Sequence, residues 1–382
     1  MSPTLFIVAG ESSGDLHGAS LARALRQRRP ELALAGLGGP RMAEAGVDVV
    51  RDVTAHAAVG ISEALASVRT VLKAFREMVA LLEERRPDAV VLIDYPEFNL
   101  RFARRAHRRG IPVCYYISPQ VWAWRQRRVR AIRRYVDRLL LVLPFEHDFY
   151  AAHGIEATFV GHPLLDVLHP YRHDRSSARD LGLPEDQFLL GLLPGSRKRE
   201  VAALLPPMLG AAERLESHLG SLSVALAPAP SVPAEEYESW RGRTSLPFRL
   251  FPGKTYEVMA ACDLLLVASG TATLEAGIIG TPMIVTYKVS PLSWLLARLL
   301  VRRIRYCSLV NLVADRQVVP ELLQGEATAE NIADHALALI REGRLEQVGR
   351  ELAADVRPRL GQPGASGRAA EEILDLVERE GA

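Results

Sequence analysis

The chain has 382 residues, and at about 100–200 residues per domain that length predicts two domains. Hydrophobic residues make up 48% and charged residues 24%, which excludes a disordered or collagen-like chain. Lys and Arg total 47 against 45 Asp and Glu, so a net charge of +2 leaves no global field to mark a nucleic-acid binder. In chain order, Leu5–Ala9, Leu32–Gly36, Ala89–Ile93, Pro112–Ile117 and Arg138–Leu143 read as strands. Gly14–Arg26, Leu72–Arg85, Asn99–Arg108 and Val121–Arg134 between them carry helical periodicity. Strands this apolar need cover on both faces, which predicts parallel sheets between helices. The pattern pauses over His162–Arg179, a stretch with two prolines and many charges that reads as a connection. It restarts with strands Phe188–Leu193, Ser223–Ala227, Asp263–Ala268 and Met283–Thr286. The helices here are Glu200–Leu215, Tyr256–Ala261, Thr273–Gly280 and Ala329–Arg341. The predicted class is α/β, with two Rossmann-like domains whose parallel sheets face across a cleft. The domains run 1–165 and 166–345, and a helical segment 346–382 packs back on the N-terminal domain or on a partner subunit.

Cys114, Cys262 and Cys307 are far apart and form neither a disulfide framework nor a zinc spacing, which predicts a reducing compartment. No apolar run reaches the ~18–20 residues of a membrane span, and the start lacks a basic, then apolar, secretory pattern. A cytoplasmic protein is expected. Of the 47 basic residues only Lys73, Lys198, Lys254 and Lys288 are Lys.

In doubly wound folds ligands sit at the carboxyl ends of strands, so the motifs there matter most. Val8–Asp15 runs from a strand through Gly10 to a helix starting near Gly14, and its glycines and helix amides suit an anion or a plain tight turn. Gly36–Arg41 is similar, with Pro40 at a helix start. In Ile93–Asn99, Asp94 leaves a buried strand and is a candidate general base; the other reading is a turn cap, with Glu97 solvated. Leu193–Glu200 offers a Gly195-Ser196 turn and Arg197, a guanidinium fork suited to a diphosphate or a solvated basic turn. Ala268–Glu275 sets Ser269, Gly270, Thr271 and Thr273 before a helix, suited to phosphate or ribose. There Glu275 is either a ribose acceptor or a first-turn carboxylate.

Other patterns lead away from common chemistries. Gly253-Lys254-Thr255 ends like a P-loop, but Phe248 stands at the first glycine position. No Asp-x-Asp occurs, no Cys/His metal spacing occurs, and His17 and His162 read as isolated packing or hydrogen-bonding residues. Six arginines lie between Arg125 and Arg134 beside inward-facing Val129, Ile132 and Val136, a solvated face or a seat for anionic lipid or phosphate. Trp294–Arg303 suits an interfacial helix, a dimer contact or buried core.

Taken in order, AGESSGDLHGA (9–19), GGPRM (38–42), IDYPEFN (93–99), SPQVWAWRQ (118–126), LPFEHDFY (143–150), FVGHPL (159–164), LPGSR (193–197), ASGTATLE (268–275) and PELLQ (320–324) resemble the lipid-A-disaccharide synthase family across nearly the whole chain. The resemblance implies a GT-B fold with the sugar nucleotide on the second domain. It implies an inverting, metal-independent transfer from UDP-2,3-diacylglucosamine to 2,3-diacylglucosamine 1-phosphate (lipid X), giving the β-1,6-linked disaccharide 1-phosphate of lipid A and UDP, with no cofactor. Asp94 matches the family's candidate base. Gly14, Ser196, Arg197, Ser269, Gly270, Thr271, Thr273, Glu275 and Asn311, the last in SLVNLVA, match its substrate and nucleotide side. The family is a peripheral protein of the cytoplasmic face of the inner membrane and can dimerise with exchanged C-terminal segments. Gln120, Glu97 and Val310 depart from the usual Ser, Asp and Pro, and Ala57–Val68 is less apolar than the family stretch tied to membrane contact. The competing readings are a UDP-sugar epimerase of similar architecture and a non-catalytic nucleotide or lipid-precursor binder.

Overall fold

The computed structural model describes residues 3–52, 61–122, 125–290, 294 and 305–380. The chain divides into two compact units, residues 1–166 with 361–382, and residues 167–360. In the first, strands β1 (Thr4–Ala9), β2 (Ala33–Gly38), β3 (Asp48–Asp52), β4 (Ala89–Ile93), β5 (Val113–Tyr116), β6 (Arg138–Leu141) and β7 (Thr158–Phe159) form one sheet in the order β3-β2-β1-β4-β5-β6-β7. Every pairing is parallel. Helices α1 (Ser12–Arg28), α2 (Pro40–Glu44), α3 (Ile61–Arg85), α4 (Pro96–His107), α5 (Val129–Tyr135) and α6 (Glu146–Ala151) make the crossovers. The short helix α7 (Leu164–Val167) leads out of the unit.

The second unit repeats the plan. Strands β8 (Phe188–Leu193), β9 (Leu222–Leu226), β10 (Phe248–Leu250), β11 (Leu264–Ala268), β12 (Met283–Tyr287) and β13 (Glu321–Leu323) pair in parallel in the order β10-β9-β8-β11-β12-β13. Its helices are α8 (Lys198–Leu219), α9 (Ala234–Glu238), α10 (Thr255–Ala261), α11 (Thr271–Ile279), α12 (Leu309–Ala314), α13 (Ala329–Arg341) and α14 (Leu345–Asp355). Among the described residues no helix is long and apolar enough to cross a membrane.

Both sheets start from uninterrupted apolar runs because their central strands are buried on both faces; Leu5–Ala9 and Ala89–Ile93 have no exposure at all. A shared device starts the strands. Asp88, Asp137 and Asp263, each just before a strand, accept the first free N–H of the neighbouring strand, from Thr4, Val113 and Leu189 at 2.7–2.8 Å. These carboxylates satisfy donors that no ladder bond reaches.

One boundary differs from the sequence reading. The second domain does not close at 345, because α14 packs on α11 and stays in its unit, with Val348 and Leu352 buried. The final helix α15 (Ala365–Glu380) instead lies on α1 of the first unit. There it buries Ala369, Ala370 and Ile373, pairs Glu371 with Arg28 and Glu378 with Arg29, and sets Glu372 against Arg138. Residues 57–60 and 295–303, on which the membrane-contact and interfacial-helix readings fell, lie outside the described residues.

Candidate active site

In the first unit the strand ends of β1, β2, β4, β5 and β6 carry the chemistry-bearing side chains. Asp15, in the first turn of α1, is buried and accepts the backbone N–H groups of Gly39, Arg41 and Met42 at 2.8–3.1 Å. One carboxylate thereby caps α2 and fixes the two glycine-containing loops to each other. Gly14 lies in the same turn, where an added Cβ would stand 3.2 Å from the Ala9 Cβ. Gly10 has a stricter reason: its Cβ would fall 2.2 Å from the Tyr95 ring. The absent side chain is what lets Tyr95 lie over the β1 loop.

Asp94 follows β4 in the left-handed region, φ 43°, and Tyr95 joins it at φ 48°. Two consecutive non-glycine residues there cost about 1–3 kcal/mol each unless the surroundings hold them. They are held. The Asp94 carbonyl accepts the Asn99 amide and the Tyr115 hydroxyl, both at 2.7 Å, and its N–H donates to the Ile117 carbonyl at 3.1 Å. Asn99 also donates to the Ile93 carbonyl at 3.1 Å, while the Tyr95 ring stacks on Phe98. The Asp94 side chain is left to its environment. Burial pushes its carboxyl up to about 6, the nearby Glu11 carboxylate adds to the rise, and the Tyr95 N–H opposes it. A carboxyl near neutrality can take a proton and give it up in one working pH range.

Next to it, the end of β5 is tied to the end of β6. The Trp122 indole donates to Glu146 Oε1 at 3.2 Å, the Leu143 N–H approaches Glu146 Oε2 at 3.3 Å, and Ser118 Oγ lies 2.6 Å from the Tyr150 hydroxyl. Glu146 is 1% exposed, and burial pushes its carboxyl up to about 8. His17 and His162, read as isolated, meet edge-to-face with centroids 6.3 Å apart. Burial lowers His17 to about 4; burial and then His17 lower His162 to about 3. Both rings are neutral packing groups. The His162 Nδ1 accepts from the Leu164 N–H at 3.2 Å.

In the second unit the β8 end turns at Gly195, φ 118°, where a Cβ would strike Glu200 at 2.6 Å. Glu200 reaches back to the Ser196 N–H at 3.0 Å and to Arg197 at 3.1 Å. The Arg197 side chain is 65% exposed at the start of α8, and Ser196 is exposed beside it. The β11 end is a second such turn. Gly270 precedes α11, Thr271 is exposed, and Ser269 donates to the Cys307 carbonyl at 3.2 Å. Thr273 is fully buried with its hydroxyl on the Gly270 carbonyl at 2.8 Å, so it shapes the turn from within. Burial pushes the Glu275 carboxyl up to about 7 against the pull of the Tyr256 hydroxyl, 3.2 Å away. Tyr287, ending β12, has Cys307, Glu200 and Arg197 among its electrostatic neighbours, so these turns converge on one end of the sheet.

Asn311 stands differently from the rest. Its Nδ2 donates to the Val319 carbonyl at 2.9 Å and to Glu321 at 2.8 Å; its Oδ1 accepts the Val318 and Val319 N–H groups at 2.8 and 3.1 Å. Both donors and both acceptor positions are filled and the residue has no exposure, so in this arrangement it supports the loop around Glu321 and has nothing free for a nucleotide. Sequence reasoning missed Glu11, Asp15, Tyr115, Glu146 and Glu200. Glu200 had a signal, a Glu three residues into a helix after a turn. The others depend on which strands become neighbours. Among the described residues no three His, Cys, Asp or Glu side chains converge to hold a metal.

The lipid-A-disaccharide synthetase family model matches residues 5–369. The chain is 43% identical over 377 residues to the lipid-A-disaccharide synthase of Myxococcus xanthus (strain DK1622), covering 98% of each. It is 44% identical over 379 residues to that of Syntrophus aciditrophicus (strain SB), covering 99% of each. Among solved structures, a putative UDP-N-acetylglucosamine 2-epimerase from Listeria monocytogenes aligns with a TM-score of 0.68 at 12% identity, covering 99% of this chain and 98% of that one. MurG from Acinetobacter baumannii aligns at 0.60 and 14%, covering 98% and 99%. These two show the fold, the GT-B type of two Rossmann-like parallel-sheet units. With a model match across both units and relatives above 40% identity along almost the full length, the chain belongs to the lipid-A-disaccharide synthetase family.

Proposed function

We propose that this glycosyltransferase joins UDP-2,3-diacylglucosamine to lipid X through direct displacement at the anomeric carbon, with Asp94 as the base that takes the acceptor's 6-hydroxyl proton. The observation that carries the assignment is the Asp94 carboxyl: brought to about 6 by burial and Glu11, on a strained backbone held by Asn99 and Tyr115. A base so tuned is ionised at neutral pH yet basic enough to accept a proton, an effect typically worth ~10²–10⁴-fold.

Leaving-group chemistry belongs to the second unit in this reading. The departing UDP carries its developing charge on the diphosphate, and the exposed Arg197 fork with the exposed Ser196 and Thr271 suits that charge. Glu275 accepts from the ribose hydroxyls. Gly14 keeps the helix turn close to Ala9 so that backbone can approach the acceptor. Asn311 acts through Glu321 and the loop before α12, as a positioning residue.

The substrates carry acyl chains, so the enzyme works as a peripheral protein on the cytoplasmic face of the inner membrane. A homodimer that exchanged C-terminal helices would use the seat α15 occupies on α1. The test is mass spectrometry of the product made by purified protein from both substrates. A tetraacyl disaccharide 1-phosphate with one UDP released per linkage is expected. Epimerised donor formed without acceptor would overturn the reading.

A further inference from the structure

Arg127, Arg130 and Arg133 recur at three-residue steps through the tight turn Gln126–Arg128 and into α5, which brings them to one side of the helical path. With Gln126, Val129 and His153 they line a surface concavity of about 370 Å³. All three arginines are exposed, and Val129, 4% exposed, gives the concavity an apolar floor. Their neighbours differ: Arg125 and Arg128 both pair with Glu97 at the start of α4. Among the described residues no acidic one lines the concavity. His153 is held there by its Nδ1, 2.8 Å from the Phe149 carbonyl, which as acceptor leaves the proton on Nδ1 and Nε2 as the ring's other nitrogen.

Three like charges on successive turns repel one another. A guanidinium is never neutral at working pH, and its planar fork matches two phosphate oxygens. The concavity is therefore complementary to an oxyanion such as a phosphate group. Its shape points to where that phosphate comes from. An open, shallow seat holds a single free anion weakly, whereas a surface that presents many phosphates at once multiplies a weak contact.

We propose that this concavity binds the phosphate group of anionic lipids and is the contact by which the first unit holds to a lipid surface. The proposal rests on the reading of the chain as an enzyme of acylated substrates, and it names the patch that serves that reading. An apolar floor beneath cations is what a head group with the start of its chains requires.

The test is cosedimentation of the whole protein with phosphatidylcholine vesicles that contain or lack phosphatidylglycerol. Partitioning should rise with phosphatidylglycerol and fall with added salt. The variant Arg127→Gln/Arg130→Gln/Arg133→Gln should lose it by about a hundredfold, about fivefold for each arginine. Arg104→Gln/Arg105→Gln/Arg108→Gln removes the same charge from the end of α4 and should lose far less. Equal loss in the two variants would make the effect net charge and overturn the proposal, as would unchanged partitioning of the first. If inorganic phosphate binds the wild type and not the first variant while both partition alike, the seat is for a free anion and the lipid assignment is overturned. Thermal melts of each variant separate loss of binding from loss of fold. Transfer from detergent-dispersed substrates reads the enzyme assignment separately: it should survive in the first variant, and its absence in the wild type would overturn the function while leaving the vesicle result standing.

Discussion

The turn after β4 and the turns after β8 and β11 occupy the same place in two sheets of the same kind, yet they are built in opposite ways. After β4 the backbone is strained, the Asp94 carbonyl and N–H are bonded inward, and the carboxyl sits beside a second acid. After β8 the turn relies on Gly195, and in the turns after β8 and β11 Ser196, Arg197, Gly270 and Thr271 are exposed. A buried acid needs rigid walls, because its proton affinity changes with each solvent molecule admitted. An anion cradle needs exposed donors and backbone that a ligand can approach. In the proposed reading, one topology supplies a proton-transfer end and a charge-binding end by changing only the residues at strand termini.

The sharpest way to break this comparison is Asp94→Asn. Turnover should fall by ~10²–10⁴-fold, with UDP affinity unchanged in an equilibrium titration. Near-normal turnover would remove the base role. The opposite pattern is expected for Arg197→Ala: UDP binding weakens about 10- to 100-fold, the worth of one or two charge-assisted hydrogen bonds, while the pH profile keeps its shape. A change of profile without loss of UDP affinity would show the two ends to be less separate than drawn.

Glu146→Gln tests the walls themselves. The folded chain keeps a proton on Glu146 to about pH 8, whereas an unfolded glutamate releases it near 4.5. The native state therefore binds more protons between those values, and wild-type stability falls as pH rises through that window. The amide has no such dependence. The variant should gain on the wild type by up to about 1.4 kcal/mol per pH unit between pH 5 and pH 7, read by denaturant unfolding. A constant difference across that range would mean Glu146 is ionised in the fold. The smallest effect belongs to Glu11→Gln. The acid limb of kcat/KM, set by Asp94 near 6, should move down by less than the whole shift, because burial is the larger cause and remains. An unmoved limb would show that Asp94 does not feel the Glu11 charge.

Much of this was legible in the sequence, and the rest was not for identifiable reasons. Central strands announce themselves because burial on both faces leaves room only for apolar residues, as in Leu5–Ala9 and Leu264–Ala268. Edge strands do not: β3 mixes Arg51 and Asp52 with valines, β10 is three residues, and β13 begins with Glu321. Asp94 was visible as a carboxylate at the end of a buried run. The strain beneath it was not, since Pro96 ordinarily steers the preceding residue to extended backbone and Tyr95 is left-handed instead. Partners drawn from distant segments leave no local pattern, which is why His17 and His162 looked isolated and the buried Glu146 drew no attention. Asn311 teaches the converse. A motif match put it on the nucleotide side, and only its four filled hydrogen-bond positions show that it braces a loop.

Helix α15 follows the whole of the second unit in the chain yet belongs to the first. Until α15 emerges, α1 has an uncovered face and Arg28, Arg29 and Arg138 lack the carboxylates that meet them in the finished chain. The second unit has no such debt, since residues 167–360 are contiguous. Synthesis order and assembly order therefore run against each other: the first unit waits for a helix made after the second, and a nonsense codon after Leu360 would spare the second unit and damage the first.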